Sequence, residues 1–252
     1  MQTFMLTFCN ATEQAREEEM NNWYTWVHIR DVMSMDGSSL AVQRFETSSA
    51  QPAGADLRRK YLALYEVGDK ELCTKRHMEW AGTTNLEVST AFDLKSFAEA
   101  YWDPIYSTAD YASYADCVGD RTVLLVRIDG GEKTELQLSH TLLEELAARP
   151  GFKAVHLARY GVDQMPTSAA KTESVSHMLV AQLSDSFLAA RSWDEFVKDK
   201  EIDSLQLQPV IYRPIIDRFG ADDRIKSPEW RALTFLSHAI LGTDKAKIFS
   251  RQ

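Results

Sequence analysis

The chain of 252 residues is 44% apolar and 26% charged, with 11 Gly and 7 Pro. That composition supports a sizeable core and excludes a collagen-like, mucin-like or wholly disordered chain. Its 28 Lys and Arg stand against 37 Asp and Glu, a net charge of −9, so the average surface repels nucleic acid and anionic membrane. Apolar runs stay strand-sized, as over 122–128, too short to cross a bilayer. Cys9, Cys73 and Cys117 are widely spaced and form no C-x-x-C, so neither a disulfide framework nor a zinc knuckle is suggested. The N-terminus lacks the basic and long apolar stretches of a signal peptide, and the expectation is a soluble protein of a reducing, cytoplasmic compartment.

In chain order, residues 3–8 form a short β-rich run. Asn10 followed by Glu13 has the spacing of an N-cap with its reciprocal partner. A helix with an acidic first turn follows, apolar at Met20, Trp23, Tyr24 and Val27, and ends at Met35-Asp36-Gly37. Residues 39–46 read as a strand, 48–56 as a loop, 61–67 (YLALYEV) as a buried strand, 69–80 as a helix and 96–105 as a strand. The same grammar returns from Arg121: a strand over 121–128, a helix over 134–149 and a stop at Pro150-Gly151. Strands over 153–160 and 177–183 (HMLVAQL), a helix over 192–199 and a strand over 205–216 complete it. Beyond 221, Ser227-Pro228-Glu229 opens a further helix with Pro at its first position.

The two halves end alike, at Trp102-Asp103-Pro104-Ile105 and Tyr212-Arg213-Pro214-Ile215, and YLALYEVGD corresponds to HMLVAQLSD. Each half reads β-α-β-β-α-β, the ferredoxin-like split βαβ. Leu62 and Leu64 lie on one face of their strand and Tyr61, Ala63 and Tyr65 on the other, so both faces need cover. The expected fold is α+β: two tandem ferredoxin-like halves, 1–118 and 119–220, close into an intramolecular α/β-barrel, with a helical appendix at 221–252.

His28 is the first candidate for chemistry. Tyr24 lies four residues before it and Asp31 three after, on one helical face, and a carboxylate beside an imidazole can hold one tautomer and leave the other nitrogen as base. The alternative is a histidine packed among Trp23, Trp26 and Val27. Trp23, Tyr24, Tyr65, Tyr101 and Trp102 make the first half aromatic, either as core or as a flat pocket for a ring-bearing ligand. Arg44 and Arg213 lie in apolar strands. An inward arginine calls for an anionic partner, such as a substrate carboxylate or enolate, or Glu66, Glu99 or Asp103. His156 and His177 fall on neighbouring strands without an acid, a poor metal site. His77, in Lys75-Arg76-His77, reads as a solvated helix face. No dinucleotide, P-loop, zincin or nucleophile-elbow motif occurs, so neither metal nor organic cofactor is expected.

The segment 20–32 (MNNWYTWVHIRDV), ending at Gly37 and followed by Gln43-Arg44-Phe45, resembles dimeric α/β-barrel proteins and among them the EthD-like members. YLALYEVGD and Trp102-Asp103-Pro104-Ile105 extend the likeness through residue 107. Ile29-Arg30 departs from a pattern in which Pro often follows the His. In the second half, the position nine before Gly151, as His28 is nine before Gly37, is Leu142. The resemblance implies a barrel of ferredoxin-like units and a small-molecule site. Together these observations lead to the expectation of a cofactor-independent lyase or isomerase acting on a hydrophobic, aromatic small molecule. His28 would be its base, Asp31 and Tyr24 would assist, and Trp23, Arg44, Tyr65, Tyr101 and Trp102 would form the substrate wall. A non-catalytic hydrophobic-ligand carrier, and a haem-binding or monooxygenase-like member of the same superfamily, are the alternatives. Pairing into a homodimer is compatible with either.

Overall fold

The computed structural model describes residues 3–35, 39–81, 83, 86–109, 122–129, 137–161, 175–200, 202, 205–216 and 219–220. Gly37, Cys117, the start expected for the helix at 134 and the appendix at 221–252 lie outside them. The first half comprises β1 (Phe4–Cys9), α1 (Glu17–Trp23), a π turn (Tyr24–His28), α2 (Ile29–Met33), β2 (Ser39–Thr47), β3 (Tyr61–Val67), α3 (Lys70–Trp80) and β4 (Ala98–Ser107). The second comprises β5 (Val123–Asp129), α4 (His140–Ala147), β6 (Phe152–Tyr160), β7 (Val175–Leu183), α5 (Ser186–Lys200) and β8 (Gln206–Pro214), with a short β9 (Phe219–Gly220) beside β2.

The first eight strands form one antiparallel barrel in the order β2-β3-β1-β4-β6-β7-β5-β8, closed by the β8–β2 pairing. Both halves contribute the same internal order, second-third-first-fourth. The joints are β4 on β6 and β2 on β8, so each half's outer strands pair with the other half's and no long edge is left open among the described strands. No described helix is long and apolar enough to cross a membrane.

The two-faced strand pattern is realised as three separate cores. Leu62 and Leu64 join Phe4, Leu6, Met178 and Val180 inside the barrel. Tyr61, Ala63, Tyr65 and Val67 face outward against α1 and α2. In the second half Leu179, Ala181 and Leu183 do the same toward Trp193 and Phe196 of α5. Alternation of side chains along a strand, apolar at both parities, requires this layered cover.

Three local readings change. Asn10 does not cap the first helix. Its Oδ1 accepts from Lys60 N at 2.7 Å and its Nδ2 donates to Arg58 O at 2.8 Å, tying the end of β1 to the loop before β3. A 3-10 turn (Gln14–Arg16) precedes α1 instead. The last helix of the second half begins at Ser186 rather than 192, because Asp185 Oδ1 accepts from Phe187 N and Leu188 N, both at 2.9 Å. Asp69 caps α3 in the same way, through Leu72 N at 2.8 Å, so the corresponding Asp of each half starts its second helix. His156 and His177 do not meet: the ladder pairs His156 with Val180 and Arg159 with His177.

Gly151 adopts φ +89°, and a Cβ there would sit 2.3 Å from the backbone N of Ala189. Gly54 also has a positive φ, +72°, but nothing lies within 4 Å of its would-be Cβ. Gly151→Ala is therefore expected to lower unfolding free energy by about 3 kcal/mol, and Gly54→Ala by only about 1 kcal/mol. Urea denaturation of the two variants checks the difference.

Candidate functional site

The π turn at Tyr24–His28 is marked by a bond from Ile29 N to Tyr24 O, one residue wider than the α-helical step. In a regular α-helix, residues five apart point roughly 140° away from each other. The wider turn instead brings Trp23 and Tyr24 both against His28, with ring centroids at 4.9 and 4.7 Å. The helix continues through Met33, so His28 lies within it and not at its end.

Arg44 holds this distorted helix to the sheet. It is 1% exposed, and its guanidinium donates to Thr25 Oγ1 (2.7 Å), Asn21 Oδ1 (2.7 Å) and Asn21 O (3.2 Å). It also lies 4.3 Å from the centroid of the Tyr24 ring. The expected anionic partner is replaced by neutral acceptors and an aromatic face, and Arg44 does not line the cavity described next.

Between the first half's helices and its sheet lies a cavity of about 310 Å³, at the lower end of small-molecule sites. Trp23, Tyr24 and His28 form its helical wall, and Met5, Tyr65 and Glu99 its sheet wall. His77 and Ala81 enter from α3, and Leu86, Val88, Phe92, Leu94 and Phe97 come from the segment before β4. Val88 and Leu94 are exposed, so this segment is the rim.

No protein-family model and no curated protein matches the sequence. By structure the chain is similar to an anthrone oxidase-like protein, with TM-score 0.61 and 13% identity over 87% of this chain and 93% of that one. It is also similar to a proposed monooxygenase of Fusobacterium nucleatum, with TM-score 0.51 and 10% identity over 87% and 94% of the two chains. The fold is that of the dimeric α/β-barrels. Here one polypeptide closes the barrel.

Within that barrel the two helix-covered layers differ chemically. The ladders place Thr7 opposite Glu99 in the first half and Val126 opposite Pro209 at the equivalent step of the second. By the same register Tyr65 corresponds to Ala181 and Met5 to Leu124. Leu142 packs against the second half's apolar core. The polar groups of the cavity thus belong to the first layer.

Of the residues singled out in the sequence, Trp23, Tyr24, His28 and Tyr65 come together around the cavity, and Tyr65 OH donates to Tyr24 OH at 3.3 Å. Asp31, Tyr101 and Trp102 do not line it. Trp102 points into the barrel and packs edge-on against Tyr160. Tyr101 OH accepts from Thr74 Oγ1 on α3 at 3.0 Å. Arg213 pairs with Glu46, and Asp103 with Lys70 at 2.9 Å.

Two cavity residues escape sequence reading. His77 is buried rather than solvated, because it lies four residues after Cys73 and four before Ala81 on the inner side of α3. Its Nδ1 lies 2.9 Å from Cys73 O, and since a carbonyl only accepts, Nδ1 carries the proton and Nε2 is the basic nitrogen. Burial pushes its pKa down and outweighs the raising effect of that backbone bond. Glu99 accepts from Thr7 Oγ1 at 2.9 Å, and burial raises its carboxyl to about 7, only partly offset by the Thr7 bond. The available signal was its position between Phe97 and Tyr101 on a strand whose other face is Ala98, Ala100 and Trp102, which leaves no polar side to turn to.

Arg44→Ala leaves Asn21 and Thr25 unsatisfied beside a void and is expected to cost about 3 kcal/mol in urea unfolding. Glu99 gives a pH signature. Its folded pKa is raised, so its contribution to stability is complete below the unfolded value of 4.5 and is lost as pH rises through about 7, a loss of about 3 kcal/mol. His77 and His156, both with lowered values, act in the opposite sense. Wild type minus Glu99→Gln isolates the carboxyl: the difference in unfolding free energy should fall by that amount between pH 4.5 and 8.

Proposed function

We propose that the protein is a cofactor-independent enzyme of lyase or isomerase type acting on a hydrophobic, ring-bearing small molecule. The observation that carries this reading is the gathering of His28, His77 and Glu99 in one aromatic cavity of an otherwise apolar layer. His28, the half-buried imidazole between Trp23 and Tyr24, takes a proton from a carbon acid or phenol. The Tyr24 and Tyr65 hydroxyls supply donors for the resulting oxyanion or enolate, and burial keeps both phenols protonated. His77, held neutral with Nε2 bare, is a second acceptor for the shuttled proton. Asp31, three residues on from His28 on the same helix, is the orienting carboxylate of this reading, although it does not line the cavity.

Oxygenation is the second reading. The likeness to the anthrone oxidase-like protein and to the proposed monooxygenase favours it, and it begins with the same proton abstraction. A haem would call for cations beside its propionates. Among the described residues the lining holds neither Lys nor Arg, and Glu99 adds a carboxyl, so this lining does not fit haem. We read the halves 1–118 and 119–220 as a tandem duplication of one EthD-like unit, on the shared strand order and the shared Asp69 and Asp185 caps. A cytoplasmic location and pairing into a homodimer accord with this reading.

Exchange of the C1 protons of 2-tetralone in D2O, followed by proton NMR, tests the chemistry. The protein should accelerate exchange above buffer, and His28→Gln should slow it about 10²-fold with the near-ultraviolet circular dichroism retained. An unchanged rate in that variant removes His28 as the base. Oxygen consumption during turnover transfers support to the oxygenase reading.

A further inference from the structure

The cavity contains a buried nitrogen that can only accept a hydrogen bond. His77 lines it from α3 and is 3% exposed. Its Nδ1 lies 2.9 Å from Cys73 O, one turn back on the same helix, and donates to it. Cys73 Sγ, 3.5 Å from the same nitrogen, is a weaker second acceptor. In a neutral imidazole the proton on Nδ1 leaves Nε2 with a bare lone pair. With Nδ1 turned back to its own helix, the ring presents Nε2 away from that helix, and among the described residues no donor reaches it. Burial lowers the pKa, so the nitrogen remains an acceptor at neutral pH.

The second half shows that the barrel does not require this group. Asp69 and Asp185 start corresponding helices by the same cap, and His77 lies eight residues after the first. Eight residues after Asp185 stands Trp193, 3% exposed, whose indole packs in the apolar core beside Phe196. A large ring fills the position there, whereas an imidazole borders a cavity here.

A buried acceptor without a donor costs free energy, and a ligand that brings the donor recovers it. A hydroxyl does so without carrying a charge into aromatic surroundings. An ether oxygen sets one lone pair against another and recovers nothing. Trp23, Tyr24, Tyr65, Phe92 and Phe97 around the same space favour a ring as the rest of the ligand.

We infer that the cavity recognises a ring compound carrying a free hydroxyl, which donates its proton to a hydrogen bond with His77 Nε2. This rests on the cavity being the substrate site, and it names the substrate class for that site. The enol of a ring ketone presents the same group. His77 is then a binding residue that selects the ligand, separate from His28 as the base. The volume of about 310 Å³ accommodates one or two fused rings.

Isothermal titration at pH 7.5 with 2-naphthol, 2-methoxynaphthalene and 2-methylnaphthalene tests it through binding rather than turnover. The naphthol should bind at least tenfold more tightly than either of the others. His77→Phe keeps a ring and removes the nitrogen. With near-ultraviolet circular dichroism retained, it should bring the naphthol to within threefold of the methyl compound. If that variant does not fold, 15N NMR of the wild type decides. There 2-naphthol should shift the His77 Nε2 resonance, and 2-methoxynaphthalene should leave it in place. Naphthol and methoxynaphthalene binding alike to wild type, an unchanged naphthol preference in folded His77→Phe, or an unmoved Nε2 resonance each overturns the inference while leaving the cavity and His28 chemistry standing. Absence of binding by all three overturns the inference together with the cavity as a ligand site. Absence of tetralone exchange with the naphthol preference intact strikes only the catalytic reading.

Discussion

The guanidinium of Arg44 is the contact on which the site depends. It is buried in the middle of β2, and among the described residues its guanidinium meets no carboxylate in its hydrogen-bond set but Asn21, Thr25 and the faces of Tyr24 and Tyr61. Burying a cation without an anion is unfavourable, and burial does lower its pKa, yet arginine stays charged at any physiological pH. The charge is accommodated by strong, directional bonds to one short stretch of helix, the stretch that passes into the π turn. Sheet and helix are thereby locked at the point where Trp23, Tyr24 and His28 are brought together.

The barrel supplies the second constraint. Because β2 and β4 of one half pair with β8 and β6 of the other, the interior is a single packed core of side chains such as Phe45, Leu125 and Val180. A ligand site has to be found outside it, in a layer between sheet and helix. Two such layers exist, and they differ. The second is filled by Leu143, Leu146, Trp193 and Phe196. The first holds a cavity with titratable groups around it, and those on its strands, Glu99 and Tyr65, have Pro209 and Ala181 as their equivalents in strand register. Among the described residues, a barrel whose halves share one strand order thus gathers the polar groups of this cavity in its first layer.

Burial tunes the groups in that site in opposite directions. The same loss of water that lowers the His77 pKa raises that of Glu99 to about 7 and keeps the Tyr24 and Tyr65 phenols protonated. At neutral pH the cavity therefore holds a neutral imidazole, neutral phenols and a carboxyl near the middle of its titration. That is a composition suited to moving protons.

By itself the sequence determined the element order, its return in the second half, and the two-faced strands that demand cover on both sides, since these follow from local periodicity and from motifs such as Trp102-Asp103-Pro104-Ile105. It also singled out Trp23, Tyr24, His28 and Tyr65, because aromatic and titratable residues concentrate there. Tertiary structure alone decided what Arg44, Glu99 and His77 do. Whether an arginine meets a carboxylate or an amide depends on which helix lies over its strand. Whether Lys75-Arg76-His77 is solvated depends on which side of α3 faces the sheet, and the spacing of two basic neighbours points the wrong way. The π turn was likewise hidden, since a one-residue widening leaves composition and hydrophobic pattern unchanged while rotating every later side chain. Strand pairing across residues far apart in the chain, Thr7 with Glu99 and Trp102 with Tyr160, then fixed which side chains share the cavity and which fill the barrel.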